Sequence, residues 1–216
     1  MRIGIVTGGS INESFVNGEL SCQQFDKLIA VDHGADFFLK SEFAPDFIVG
    51  DFDSVKKDTI EILQNRFKVK IDKHPSEKDE TDTELAISMA IGMGAKEIII
   101  YGATGTRMDH VLGNIQLLKK SMEHKVICYI QDEFNRIQMV DHSIQIRKDE
   151  QYGYYVSLIP FTPVVTGITL KGMKYPLKDY DLHSGIARCV SNEIQEEKGE
   201  ILFRDGILLI IESKKD

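Results

Sequence analysis

Phe47-Ile48-Val49-Gly50-Asp51-Phe52-Asp53-Ser54 carries an apolar run into a glycine and then into two aspartates at i and i+2. An extended backbone points alternate side chains the same way, roughly 7 Å apart. Two carboxylates so placed repel each other unless a cation sits between or beside them. Magnesium takes hard oxygen ligands and keeps several waters, so one or two carboxylates plus phosphate oxygens suffice. The C-terminal end of a strand is also where open α/β sheets hold their ligands. For this motif alone, a polar strand end with capping aspartates is the plainer alternative.

Outward from this stretch, residues 2–7, 27–31, 46–49, 97–102 and 125–130 read as strands. They are Ile- and Val-rich and nearly continuously apolar, as strands of a parallel sheet covered on both faces are. Helical patterns fall between them at 35–41, 55–67, 81–93 and 109–122. This alternation predicts a mostly parallel, layered α/β domain over residues 1–135. After that the runs become short and alternating, at 143–147, 152–159, 167–171 and 185–194, with turn residues between. A hairpin is expected from 200–203 and 207–211 around Asp205-Gly206. Residues 136–216 therefore read as an antiparallel β-sandwich domain.

The 216 residues are 42% hydrophobic and 28% charged, the balance of a globular chain with enough apolar surface for its own cores. No apolar run approaches the ~20 residues of a membrane span, and the first residues read as a strand rather than a signal peptide. Cys22, Cys128 and Cys189 fit neither a disulfide framework nor a zinc spacing, which points to the cytoplasm. A net charge of −8 argues against nucleic acid as a partner. It suits a cationic substrate or anions held through a metal, and it fits simple solubility equally well.

Two further clusters stand out. In Lys78-Asp79-Glu80-Thr81-Asp82-Thr83-Glu84, Thr81 or Asp82 can cap a helix, with Glu84 closing a capping box. The surplus of acids makes Asp79 and Asp82 further candidate ligands. Tyr101-Gly102-Ala103-Thr104-Gly105-Thr106-Arg107-Met108-Asp109-His110 leaves a strand and opens a helix. Its glycines let backbone N–H groups approach an anion, the helix start adds partial positive charge, and Arg107 suits bidentate contact with phosphate. Asp109 is either one more carboxylate or an N-cap, and His110 is read as structural. Thr7-Gly8-Gly9-Ser10 and Asp32-His33-Gly34 end two other strands. There is no G-x-x-x-x-G-K-[ST] and no G-x-G-x-x-G, so neither a P-loop nor a dinucleotide fingerprint applies. Together, separate strand ends direct Asp32, Asp51, Asp53, Asp82 and Asp109 to one face. Such gathering is costly without a metal and suits phosphoryl or pyrophosphoryl transfer.

In the same order along the chain, these motifs resemble those of the thiamine pyrophosphokinase family. The match rests on Gly50-Asp51-Phe52-Asp53-Ser54, Lys78-Asp79-Glu80-Thr81-Asp82 and Gly105-Thr106-Arg107-Met108-Asp109-His110-Val111-Leu112-Gly113-Asn114. It continues through Gly172-Met173-Lys174-Tyr175-Pro176-Leu177 and Ser191-Asn192-Glu193. The resemblance implies a homodimer with active sites shared between chains, moving pyrophosphate from ATP to the thiamine hydroxyl and leaving AMP. It implies Asp51, Asp53 and Asp82 as magnesium ligands, with Asp109 completing the catalytic acids. Asp32, Asp79, Thr81, Arg107 and Asn114 become nucleotide-binding candidates, and Ser191 and Asn192 thiamine-binding ones. Two departures are visible: His33 stands where many members have glycine, and Tyr175 stands where some carry tryptophan, a residue this chain lacks.

Two other functions compete. An aspartyl-phosphate phosphatase also uses Asp-x-Asp after an apolar strand, but usually after the first strand and here after the third. A non-enzymatic thiamine or nucleotide sensor would need the pocket without the full set of acids.

Overall fold

The computed structural model describes residues 1–51, 57–73 and 79–215, and the chain divides into two compact units, Met1–Glu133 and Phe134–Asp216. The first unit runs β1 (Arg2–Val6), α1 (Glu13–Cys22), β2 (Lys27–Val31), α2 (Gly34–Lys40), β3 (Phe47–Gly50) and α3 (Lys57–Arg66). It continues through β4 (Lys70–Lys73), α4 (Asp82–Gly92), β5 (Glu97–Tyr101), α5 (Met108–Glu123) and β6 (Ile127–Gln131).

Its strands are parallel and ordered β4-β3-β2-β1-β5-β6. The chain walks outward from β1 to β4, then returns to place β5 on the other side of β1. That reversal between β1 and β5 opens a crevice beyond the strands' C-terminal ends, where such sheets bind ligands. Both faces are covered, so the inner strands are largely apolar, and Ile3, Ile5, Ile29, Ile48, Ile98 and Ile100 have no exposure; the edge strand β4, Lys70-Ile71-Asp72-Lys73, is mostly charged. One face packs on α1, α2 and α3 through Val16, Leu20, Phe37, Phe38 and Leu63. On the other, α4 lies against β1–β3 and against α5.

The second unit holds β7 (Asn135–Val140), β8 (Ile144–Arg147), β9 (Tyr155–Pro160), β10 (Val164–Lys171), β11 (Leu177–His183), β12 (Lys198–Leu202) and β13 (Leu208–Ser213). Two antiparallel sheets form, β7-β13-β9 and β11-β10-β12-β8. Val156, Leu158, Leu208 and Ile210 from the first meet Val165, Ile168, Leu170, Leu182 and Ile201 from the second in one core. This is a β-sandwich.

Two expectations fail here. The strands flanking Asp205-Gly206 do not pair as a hairpin, because β12 lies in one sheet and β13 in the other. Thr166 takes the connection instead: its N–H donates to Asp205 O at 2.9 Å and its O accepts from Arg204 N at 2.9 Å. Ile201 and Leu208 thus enter the same core from opposite sides. Nor is 185–194 a strand; it is turns touching the sheet at isolated bridges, Asn192 with Val156 and Ile194 with Met173. Among the described residues no helix is long and apolar enough to cross a membrane.

Candidate active site

Two loops meet where the first unit's sheet reverses. Thr7 Oγ1 donates to Gly102 O at 2.6 Å, Gly9 N to Gly102 O at 2.8 Å and Ser10 N to Thr104 O at 2.8 Å. The loops after β1 and β5 are thereby zipped together. A Cβ on Gly9 would stand 2.2 Å from Gly102 O, and Gly102 itself has φ 70°. Only glycine permits this approach and this backbone. Among the described residues, the backbone N–H groups of 103–106 have no acceptor. They lead into the N-terminus of α5, where the helix dipole favours anions.

These loops wall a cavity of about 1070 Å³, closed further by residues 31–33, by the N-terminus of α4 at 81–83 and by the first turns of α5. Two helix N-termini and two glycine-rich loops line this one cavity, which has room for a nucleotide.

The predicted residues fall as follows. Asp32 lines the cavity after β2 with φ 46°, a left-handed backbone that aspartate tolerates better than most residues. A Cβ on Gly50 would meet Asp32 Oδ1 at 2.0 Å, so the Asp32 carboxylate lies against the end of β3, next to Asp51. Asp51 is half-buried. Asp53 lies outside the described residues. Thr81 caps α4, accepting from Glu84 N at 3.2 Å, and Asp82 begins the helix on the cavity wall. The Glu84 carboxylate accepts from Lys120 Nζ of α5 at 2.9 Å, which ties the two helices together. Asp79 is exposed ahead of the helix and is not among the cavity residues.

Arg107 and Asp109 hold each other at the mouth of α5, with Nη2 to Oδ2 at 2.6 Å and Nε to Oδ1 at 3.3 Å. That hydrogen-bonded pairing keeps the Asp109 carboxyl below its usual range and Arg107 above its own. Both are exposed, so exchanging this pair for a bound phosphate costs little. His110 is exposed and lines the cavity rather than filling a core. Asn114 donates to Ala103 O at 2.9 Å and so fixes the loop from inside the helix.

In the second unit Asn192 is buried, and its amide clasps Tyr175 from both sides. Oδ1 accepts from Tyr175 N at 3.0 Å and from Glu193 N at 2.9 Å, while Nδ2 donates to Tyr175 O at 2.9 Å. Ser191 sits at φ 58° and donates its N–H to Ser157 Oγ at 2.9 Å. Asn192 and Tyr175 line a pocket of about 400 Å³, and Tyr175 is 57% exposed at its edge. Beside it Glu193 accepts from Lys174 Nζ at 2.6 Å and Tyr154 Oη at 2.9 Å. The Lys174 hydrogen bond, then that from Tyr154, hold its carboxyl below the usual range. Sequence reasoning gave no role to Thr104, to Asp132 at the end of β6, or to the Lys174–Glu193–Tyr154 group. Asp132 carries the signal that marked Asp32 and Asp51, an acid directly after a parallel strand.

The sequence profile described as "Thiamin pyrophosphokinase, catalytic domain" matches residues 19–130. That described as "Thiamin pyrophosphokinase, vitamin B1 binding domain" matches residues 141–208. The chain belongs to the thiamin pyrophosphokinase family. Thiamine pyrophosphokinase of Bacillus subtilis is 37% identical over 186 residues, covering 86% of each chain. Thiamine pyrophosphokinase 2 of Arabidopsis thaliana is 26% identical over 193 residues, 85% of this chain and 71% of its own. The crystal structure of the Bacillus subtilis enzyme superposes with a TM-score of 0.89 at 33% identity over the whole of both chains. That of the Geobacillus thermodenitrificans thiamin pyrophosphokinase gives 0.85 at 33%, over 100% of this chain and 99% of that one. The first profile takes in Asp32, Asp51, Asp82, Arg107 and Asp109; the second takes in Tyr175, Ser191 and Asn192.

Proposed function

We propose that this chain transfers pyrophosphate from ATP to the hydroxyl of thiamine, releasing AMP, with magnesium as cofactor. The observation that carries the reading is the cavity at the sheet's switch point, where unsatisfied backbone N–H groups and two helix N-termini face acids at strand and helix ends. Membership of the family supplies the acceptor and the pyrophosphoryl donor.

The residues suit a hard divalent cation. Asp32 and Asp51 follow adjacent strands β2 and β3, with Asp32 Oδ1 packed where a Gly50 side chain would be. Asp82 begins the helix packed on those strands. All offer carboxylate oxygen. Among the described residues no three acids, histidines or cysteines close on one point. Magnesium takes phosphate oxygens and water for the positions that carboxylates leave open. Asp51, Asp53 and Asp82 would hold it. When bound, the ion would neutralise charge on the transferring phosphates.

The chain's own groups do the rest. The N–H groups of 103–106 orient phosphate oxygens, and Arg107 adds a two-pronged contact on leaving Asp109. Asp109, so released, is an acceptor for the hydroxyl proton at the cavity mouth. Thr81 and Asn114 fix the two helix starts. On the acceptor side, Asn192 sets the backbone that presents Tyr175, and the exposed Tyr175 ring offers a face to a cationic heterocycle. Ser191 lies next to this pocket. We place the enzyme in the cytoplasm, which its three free cysteines suit. We further propose a homodimer in which the nucleotide site of one chain is completed by the thiamine pocket of its partner.

Replacing Asp51 by Asn tests the reading. Thiamine-dependent turnover should fall about a hundredfold or more, the scale of losing one group that stabilises developing charge. The magnesium dependence should shift to higher concentration while the fold, read by circular dichroism, is kept. Unchanged turnover and metal dependence would contradict it.

A further inference from the structure

The loop that carries the free N–H groups has little to hold it by itself. Gly102 takes left-handed backbone at φ 70°, and glycine-rich segments lose the most freedom on ordering. Its fixed shape comes from neighbours. Ser10 N holds Thr104 from one side through the carbonyl oxygen. On the other side the Thr104 hydroxyl donates to Asp132 Oδ2 at 2.9 Å.

Asp132 belongs to a brace of three consecutive residues where β6 ends. Gln131, 1% exposed, donates Nε2 to Glu19 of α1 at 2.5 Å. Glu133 accepts from Asn12 Nδ2 at 3.3 Å, and Asn12 is the cap of α1, its Oδ1 accepting from Phe15 N at 3.1 Å. Gln131 and Glu133 thus fix the element that follows the first loop, and Asp132 fixes the second loop directly. None of the three lines the cavity.

We propose that Asp132 is a positioning residue for the nucleotide phosphates, acting through Thr104. It holds the 102–106 loop so that its N–H groups stay turned toward the cavity and are not recruited by the protein's own acceptors. An anion then binds to donors already in place, without ordering the loop first. Being half-buried, the carboxylate–hydroxyl bond is charge-assisted and stronger than a neutral one.

The inference rests on the nucleotide reading of the cavity, so its test separates the two. Wild-type affinity for a non-hydrolysable ATP analogue with magnesium, measured by calorimetry, checks that reading alone. Against that baseline Asp132→Ala should bind the analogue about tenfold more weakly and raise the KM for ATP similarly. The KM for thiamine should stay within about twofold. Asp132→Asn keeps an acceptor for the hydroxyl and should restore most of the affinity. Thr104→Val removes the same bond from the other end; it should reproduce the loss and add nothing when combined with Asp132→Ala. Analogue affinity unchanged in both Asp132→Ala and Thr104→Val overturns the proposal. So does an equal loss in Asp132→Asn and Asp132→Ala, or a loss in which the thiamine KM rises as much as that for ATP. If Asp132→Ala fails to fold, the comparison of Thr104→Val with Asp132→Asn decides the matter on the same criteria.

Discussion

Glu212 lies on β13 with 4% exposure, and its carboxylate accepts from Tyr152 N at 2.7 Å. Burial pushes its pKa up; the Tyr152 hydrogen bond and the Arg136 charge pull it only part of the way back. A carboxyl whose folded pKa is raised weakens the fold fully above that value, and the penalty fades as pH falls from there to the unfolded value. Glu212→Gln keeps the acceptor without the charge. It should raise the melting temperature at neutral pH by about 2–4 °C per kcal/mol relieved, with the gain shrinking in acid. Thermal scans across pH check the sign. Burial also drives the Cys128 thiol up to about 12 and raises Cys189, whereas Cys22 is exposed. A thiol reagent at neutral pH should therefore label one site in the native protein and all three after denaturation. Asn192→Ala removes two hydrogen bonds to Tyr175 and one to Glu193 N, so about 2–4 kcal/mol of stability should go with it in urea melts, and the KM for thiamine should rise more than that for ATP. Asp32, which lines the cavity, was singled out because it directly follows an apolar strand; Asp132, in the same position after β6, was passed over because its tie to Thr104 exists only once the sheet has formed. What Asn192 does was not legible, because its partner, Tyr175, is 17 residues away and the contact exists only once the sheets have formed.

At the scale of elements, the proposed nucleotide site rests on the zipped loops after β1 and β5. Gly9→Ala would drive a methyl toward Gly102 O and Thr104 O, at 2.2 and 2.5 Å, both backbone atoms with nowhere to go. It should cost about 1–3 kcal/mol and abolish analogue binding, while Gly18→Ala, with open space around its Cβ position, leaves both intact. Denaturant melts and calorimetry on the pair separate these outcomes. Strands β1, β2, β3, β5 and β6 were readable from sequence because burial makes them largely apolar; β4, the edge strand Lys70-Ile71-Asp72-Lys73, was not, because its charges hide it. Helix α1 escaped notice: its buried residues are Val16 and Leu20, with Phe15 half-buried beside them, and Gly18 interrupts the pattern. Strand β11 reads Leu-Lys-Asp-Tyr-Asp-Leu-His with only Leu182 buried, an edge strand whose charges hide it. The hairpin was misread because a turn signal and two apolar runs specify a reversal but not which sheet each run joins. That choice is made by Thr166, 39 residues before Asp205.

At the scale of the whole molecule, the cavity at the sheet's reversal and the Tyr175 pocket belong to separate units, each matched by its own family profile. If two chains share each site, a two-fold dimer places one chain's first unit with the partner's second. Mixing Asp51→Asn with an Asn192→Ala protein, under conditions of subunit exchange, then gives hybrids with one intact site of two. Random pairing makes about half the dimers hybrid, so roughly a quarter of wild-type turnover should return. No recovery in a mixture shown by mass spectrometry to exchange would sink the shared site. The central claim is that two phosphates move together from ATP to thiamine. The direct measurement supplies magnesium, thiamine and ATP labelled separately in its β- or γ-phosphate, and follows each label. Both labels should appear in thiamine diphosphate in equal amount, matched by unlabelled AMP, with no turnover when thiamine is omitted. The γ label alone on thiamine, with the β label left in ADP, or labelled phosphate released without thiamine, would contradict the account.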